Sequence, residues 1–459
     1  MEQLSVLDAG FLQLEDTDPN VSLAIGSVTI LDGPLPDFDE LAATIAERLV
    51  SAPRLRQVVR THTLDIEAPE WVDAPELDMG RHLRRAALPS PGDDGELCAL
   101  IAEIMERRLD RDYPLWECWV IEGLAGGRWA LLTKVHHCLA DGVSAAAMMA
   151  GFNDGGNATS FAGHLTAGGQ HQHDHDHDHA APGIGLNPLD WGKAALDLAA
   201  GAAHLAVQSA RGTAEIVTGI LRPAPESTLN GPVGALRRYG VGRASITEIK
   251  AIAKAFDASF NDVALAAVTN GYRQVLLHRG ETPRRDSLRT LIPVSVRDTT
   301  ALHTPDNRVS LMLPLLPVDQ ATPVEQLRTL RLRMRRSKSS GQRQAGAGIV
   351  GMANRLAPFA LTAWAVRAAS LLPQRNVCGL ATNVPGVSEP ARILGRPVLE
   401  VWPIPPLALR LRVGVAMLSY VDRLSFGITA DYDSTPDMKV MVDGIESALA
   451  ELSAQAPVS

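Results

Sequence analysis

Residues 134–142 read KVHHCLADG, a run that sets two adjacent histidines, an aspartate four residues past the second, and a glycine at fixed spacing. An imidazole is about half deprotonated near neutral pH, so it can take a proton from an attacking hydroxyl and later return it to a leaving thiolate. Only one base is needed for that sequence of transfers. His136 and His137 are therefore read as one base and one supporting residue. Asp141 suits holding the loop and the ring, and Gly142 lets another backbone pass close. A lone histidine at a strand end is ordinarily a satisfied core residue, but doubled histidines with Asp and Gly in register outweigh that reading.

The elements around this run must hold it still. Apolar alternation predicts strands over 22–31, 116–122 and 129–135, and helical periodicity predicts helices over 39–49 and 96–109. A small-residue helix over 144–152 follows the run, which therefore sits between a strand and a helix. Composition then shifts to Gly, Ala, Ser, Thr and His over 153–185, including the tract HQHDHDHDH at 171–179. Ligands two residues apart on a flexible segment impose no fixed geometry, so the tract is read as an adventitious metal binder and no metal site is assigned. An Ala-rich helix over 188–221 ends at Pro223 and Pro225. From Leu236 onward a second α/β pattern appears: helix 261–279, strands 288–296 and 309–315, helices 324–337 and 347–371, strand 377–382, and a hairpin over 414–431 turning near Asp422 and Arg423. The expected organisation is an α/β half over 1–152, a linker with a crossover helix over 153–230, and a second α/β half over 231–459.

Composition narrows the function classes. The 459 residues are 46% apolar and 21% charged with a net charge of -9, as in a globular chain with more than one core. That charge argues against nucleic acid, and the basic cluster Arg328 to Lys338 reads as a solvated helix face. Cys98, Cys118, Cys138 and Cys378 form no CxxC pair, so neither a disulfide framework nor a zinc ribbon is expected. The first residues lack the pattern of a signal peptide, which points to the cytoplasm. Charges interrupt the apolar stretches 194–221 and 345–372, making amphipathic helices that pack on their own domain or touch a lipid interface. Gly183, Gly185, Gly240 and Gly242 do not complete a dinucleotide turn, Gly192 and Lys193 do not complete a phosphate loop, and no GxSxG occurs.

These residues carry a resemblance to the bacterial wax ester synthase and diacylglycerol acyltransferase family, whose motif is HHxxxDG, and within it to mycobacterial triacylglycerol synthases. Matching stretches are LSVLDAGFLQLE (4–15), LDRDYPLWE (109–117), KVHHCLADG (134–142), LNGP (229–232), NDVA (261–264), IPVSVR (292–297), NRVS (307–310), NVPG (383–386) and LSY (418–420). The resemblance implies a two-domain α/β fold of the chloramphenicol acetyltransferase type, a CoA-dependent acyltransferase architecture with a tunnel between the domains. Acyl-CoA would enter from one face and a lipid alcohol from the other, as substrates and with no cofactor, in a ternary complex.

In that picture His137 is the base that deprotonates a diacylglycerol hydroxyl to make triacylglycerol, with His136 supporting. Asn261 is the first candidate for the oxyanion donor, its alternative role being the N-cap of the helix that it begins. Ser295 and Asn383 are further oxyanion or acceptor candidates. Asp141 would pair with Arg297 in a bidentate bridge between the halves. Pro114 and Trp116, in the PLW motif, read as packing anchors, and Asp262 as structural support. The stretch WPIPP at 402–406 departs from the family's pattern, as does the His-rich linker. A peripheral contact with the inner membrane surface or lipid droplets, and the oligomeric state, stay open. Alternatives are a wax ester synthase taking a fatty alcohol, transfer of carrier-bound acyl groups, and a non-catalytic protein that binds lipid surfaces.

Overall fold

The computed structural model describes residues 2–49, 53–62, 67–75, 77–139, 153–154, 227–295, 309–339, 377–408 and 410–456. The first half runs β1 (Glu2–Gln3), α1 (Val6–Thr17), β2 (Ala24–Leu31), α2 (Phe38–Leu49), β3 (Gln57–Arg60), β4 (Glu70–Asp73), α3 (Met79–His82), β5 (Leu83–Ala87), α4 (Asp94–Glu106), β6 (Trp116–Leu124) and β7 (Arg128–His136). The second runs β8 (Arg237–Ser245), α5 (Ile246–Ala255), α6 (Phe260–His278), β9 (Leu288–Ser295), β10 (Val309–Met312), β11 (Leu315–Leu316), α7 (Pro323–Ser339), β12 (Gly379–Val384), β13 (Arg392–Ile393), β14 (Arg396–Ile404), β15 (Val413–Tyr420), β16 (Arg423–Asp431) and α8 (Met438–Ala454). The helices expected over 144–152, 188–221 and 347–371 lie outside the described residues.

Helix starts are chemically marked. Ser5 caps α1 by accepting from Asp8 N–H. Asp93 with Glu96 closes a capping box on α4, and Ser259 with Asp262 does the same on α6. Each satisfies first-turn N–H groups that have no partner inside the helix.

Two sheets organise the molecule. One has the order β13-β14-β2-β7-β6-β5 and the other β10-β9-β12-β15-β16-β8, with β11 beside β9. In the second sheet β12 runs parallel to both neighbours and is followed by the β15–β16 hairpin, its turn at Val421 and Asp422. The side chains of α6 from Asp262 to Tyr272 are all buried and pack with α8 on one apolar core, whereas β2, β6 and β7 build the other.

The expected unit 231–459 does not keep to its own sheet. Residues 392–404 leave it, and β14 pairs antiparallel with β2, Trp402 opposite Val28 and Ile404 opposite Gly26. Trp402 is fully buried there, which explains why a chain segment so far from β2 crosses over: the first sheet offers β2 as a free edge and an apolar face. The same strand passes against β16 so closely that a Cβ on Gly427 would lie 1.7 Å from the Pro403 carbonyl oxygen. Tyr239, from β8, donates its hydroxyl to that carbonyl at 2.9 Å. No helix among the described residues is long and apolar enough to cross a membrane.

Candidate active site

His136 and His137 stand at the end of β7, where the β2 ladder fixes them. His136 pairs with Ala24, and His137 N–H donates to Leu23 O at 3.0 Å, carrying the ladder one residue past the strand. On the other side His136 N–H donates to Leu115 O. The chain then turns at 137–139, closed by Leu139 N–H donating to His136 O at 3.0 Å.

The two rings meet opposite surroundings. His136 is 1% exposed, and its Nδ1 accepts from Cys138 N–H at 3.1 Å. His137 is half-buried, and its ring stacks on Phe11 with centroids 4.2 Å apart and planes 25° apart. Phe11 comes from α1, as do Asp8 and Glu15. The spacing of three and four residues places all three on one helical face toward the turn. Glu15 accepts from Leu23 N–H at 3.0 Å and from Arg111 at 2.8 Å, and it faces His136 Nε2 at 3.5 Å. Burial by itself would push this carboxyl up, yet His136, Arg111 and the Leu23 amide outweigh it and bring its pKa down to about 2. Cys138 is 3% exposed, and its thiol is held well above the ordinary value by burial and by the charge of Asp8. Burial and a thiol held protonated make it a poor nucleophile. A cavity of about 160 Å³ lies beside the turn, with Ser5, Asp8, Arg54, Trp71, Cys138 and Leu139 in its wall.

Pro114 and Trp116 are buried at the start of β6, next to His136. The Trp116 indole N–H donates to Leu55 O at 2.8 Å, and its ring stacks on His82 at 4.4 Å. Its contacts are those of a packing anchor. The N-cap of α6 is Ser259, not Asn261, because the backbone enters the helix one residue before Phe260. Asn261 is instead exposed on the first turn, where its Oδ1 accepts from Asn383 Nδ2, so the NDVA and NVPG stretches meet across the second half. Asp262 accepts from Ser259 N–H at 3.0 Å. The backbone of Ser295 ends β9 opposite Val309, and its side chain lies outside the described residues. So do Asp141, Gly142, Arg297 and the bridge expected between them.

Phe11, Glu15 and Arg111 join the site from outside the HHxxxDG run. They lie inside the two stretches 4–15 and 109–117, where the visible signal is an acid that closes an apolar-rich run, Glu15, and a base set between two aspartates, Arg111.

The wax ester synthase/diacylglycerol acyltransferase catalytic domain matches residues 4–264, and the C-terminal domain of the same family matches 306–453. The chain belongs to the wax ester synthase/diacylglycerol acyltransferase family. Like its family, it is an acyltransferase. A probable diacylglycerol O-acyltransferase of Mycobacterium tuberculosis, tgs1, is 49% identical over 454 residues, 99% of this chain and 96% of that protein. A putative diacylglycerol O-acyltransferase of Mycobacterium bovis shows the same identity and coverage. Among solved structures, the wax ester synthase/diacylglycerol acyltransferase from Marinobacter aquaeolei VT8 superposes with a TM-score of 0.68 at 24% identity, covering 99% of this chain and all of that one. The first condensation domain of the calcium-dependent antibiotic synthetase gives a TM-score of 0.63 at 16% identity, covering 100% and 97%. These two likenesses speak for the fold, two α/β units of the CoA-dependent acyltransferase kind. In this wax ester synthase/diacylglycerol acyltransferase chain the doubled histidine falls within the catalytic-domain match.

Proposed function

We propose that the protein transfers a long-chain acyl group from acyl-CoA to the free hydroxyl of a diacylglycerol, making triacylglycerol, with His137 as general base. The observation that carries this reading is the contrast within the histidine pair. His136 is sealed and its Nδ1 is committed to the Cys138 amide, whereas His137 is half-buried and its ring stacks on Phe11. In the proposed step His137 takes the hydroxyl proton as the oxygen attacks the thioester carbonyl. Collapse of the tetrahedral intermediate breaks the carbon–sulfur bond, and the proton passes to the departing CoA thiolate. The protonated, buried Cys138 supports direct transfer in a ternary complex over an acyl-enzyme. Substrates would reach His137 from opposite faces through a tunnel between the halves. The oxyanion calls for a preorganised donor worth about 3 to 4 kcal/mol, and Asn261, oriented by Asn383, is the first candidate. The names of the mycobacterial relatives favour diacylglycerol as acceptor.

Purified protein given one acyl-CoA and either a diacylglycerol or a fatty alcohol tests the acceptor; a strong preference for the fatty alcohol overturns it. His137→Ala tests the base. Turnover should drop by roughly 10²-fold to 10⁴-fold with the circular dichroism spectrum unchanged. Retained turnover would remove His137 from the chemistry.

A further inference from the structure

Glu15 had no role in the motif reading, yet three donors converge on it: Leu23 N–H, an Arg111 guanidinium N–H and the edge of the His136 ring. Glu15 and His136 are each 1% exposed. Because Cys138 N–H donates to His136 Nδ1, that nitrogen carries its lone pair, and the proton of the neutral ring sits on Nε2. There it faces Glu15 Oε2 at 3.5 Å, ion-pair distance, and has no hydrogen-bond partner among the described residues.

We propose that Glu15 is a positioning residue for acyl transfer: its carboxylate selects the His136 tautomer whose Nδ1 holds the Cys138 amide, and so fixes the turn that carries His137. The inference rests on the reading of His137 as the reacting group. The opposite tautomer would aim an Nδ1–H at the Cys138 N–H, two donors in contact, and the turn at 137–139 would open. Only an acceptor-only group satisfies the position. A glutamine there presents its NH₂ to one of the donors, because one side-chain oxygen cannot serve both the Leu23 amide and the pair formed by Arg111 and His136.

The test compares full-length wild type with Glu15→Gln by backbone amide exchange of a peptide covering 135–139 and by steady-state kinetics. Exchange in that peptide should rise by about tenfold or more, the loss expected when a buried donor is left unpaired. The kcat should fall by about tenfold to a hundredfold, the scale of a misplaced reacting group, with KM for acyl-CoA changed by less than about threefold. In a His136→Asn background, where no imidazole remains to be oriented, adding Glu15→Gln should change kcat by less than about threefold. Unchanged exchange in Glu15→Gln, or the same kcat loss with and without His136, overturns the proposal. Should the Gln variant not fold, Glu15→Asp takes its place: it keeps the charge but withdraws the oxygens, and faster exchange at 135–139 is again expected and unchanged exchange again fatal. Retained turnover in His137→Ala would sink the base assignment alone, since the exchange comparison tests the hold of Glu15 on the turn independently of that variant.

Discussion

Burying a carboxylate is costly unless donors surround it, and Glu15 shows the balance at the scale of one residue. Its pKa of about 2, against an ordinary value of 4.5, means that the folded state prefers the ionised form more than the unfolded chain does. Stability from this group is therefore fully present above pH 4.5 and is lost as pH falls toward 2. Glu15→Gln should cost about 3 kcal/mol at neutral pH, the scale of breaking a buried ion pair from one side. In urea titrations the gap between wild type and variant should hold from pH 7 to 5 and narrow below 4.5. A gap that stays constant down to pH 3 would show that the charge is not what the fold uses.

At the scale of elements, the histidine pair depends on β7 being tied to its neighbours on both faces. Lys134, two residues before the pair, is fully buried, and its ammonium donates to Ile104 O at 2.7 Å and to Arg107 O, the carbonyls at the end of α4. A cation there complements the negative end of the helix and locks α4 to β7. Burial lowers this pKa from 10.5 to about 8, against the pull of Glu117 and Glu15. As with Glu15, the folded protein gives up this proton before the unfolded chain does, but here the shift disfavours the charged form instead of favouring it. Stability linked to Lys134 thus rises with pH between about 8 and 10.5. Measured against Lys134→Met, wild type should gain across that window in chemical denaturation; a parallel pair of curves would refute the assignment.

For the whole molecule, the seam between the halves is where backbone meets backbone. β14 belongs in sequence to the second half and in space to the first sheet, so the two units cannot separate without tearing a strand from β2. Around it Arg243 pairs with Glu400 at 2.8 Å and with Asp94 at 2.6 Å, a bridge between β8, β14 and α4. Gly427→Ala places a methyl group on the Pro403 carbonyl and should destabilise by about 3 kcal/mol or more, because neither strand backbone can yield. Tyr239→Phe removes only the hydroxyl bond to the same carbonyl and should cost about 1 kcal/mol. Differential scanning calorimetry on both variants checks the order; equal effects would mean that the strands are not in contact there.

The amino-acid sequence by itself determined what depends on local pattern. Periodicity gives the α/β class and elements over 22–31, 129–135, 261–279 and 414–431, which the structure places at 24–31, 128–136, 260–278 and 413–431, and the doubled histidine with its spacing marks the turn after β7. The motif matches also pointed to the family. Tertiary structure alone decided the partners. That His136 is sealed by Glu15 while His137 stays half-buried against Phe11 depends on α1 docking beside β7, and nothing in residues 4–15 announces where its face will lie. The crossover of β14 was equally hidden, because alternation shows that a strand has an apolar face but not which sheet offers it an edge. The cap of α6 moved from Asn261 to Ser259 because serine, asparagine and aspartate all fit a helix start, all three occur within 259–262, and only the backbone dihedrals choose among them.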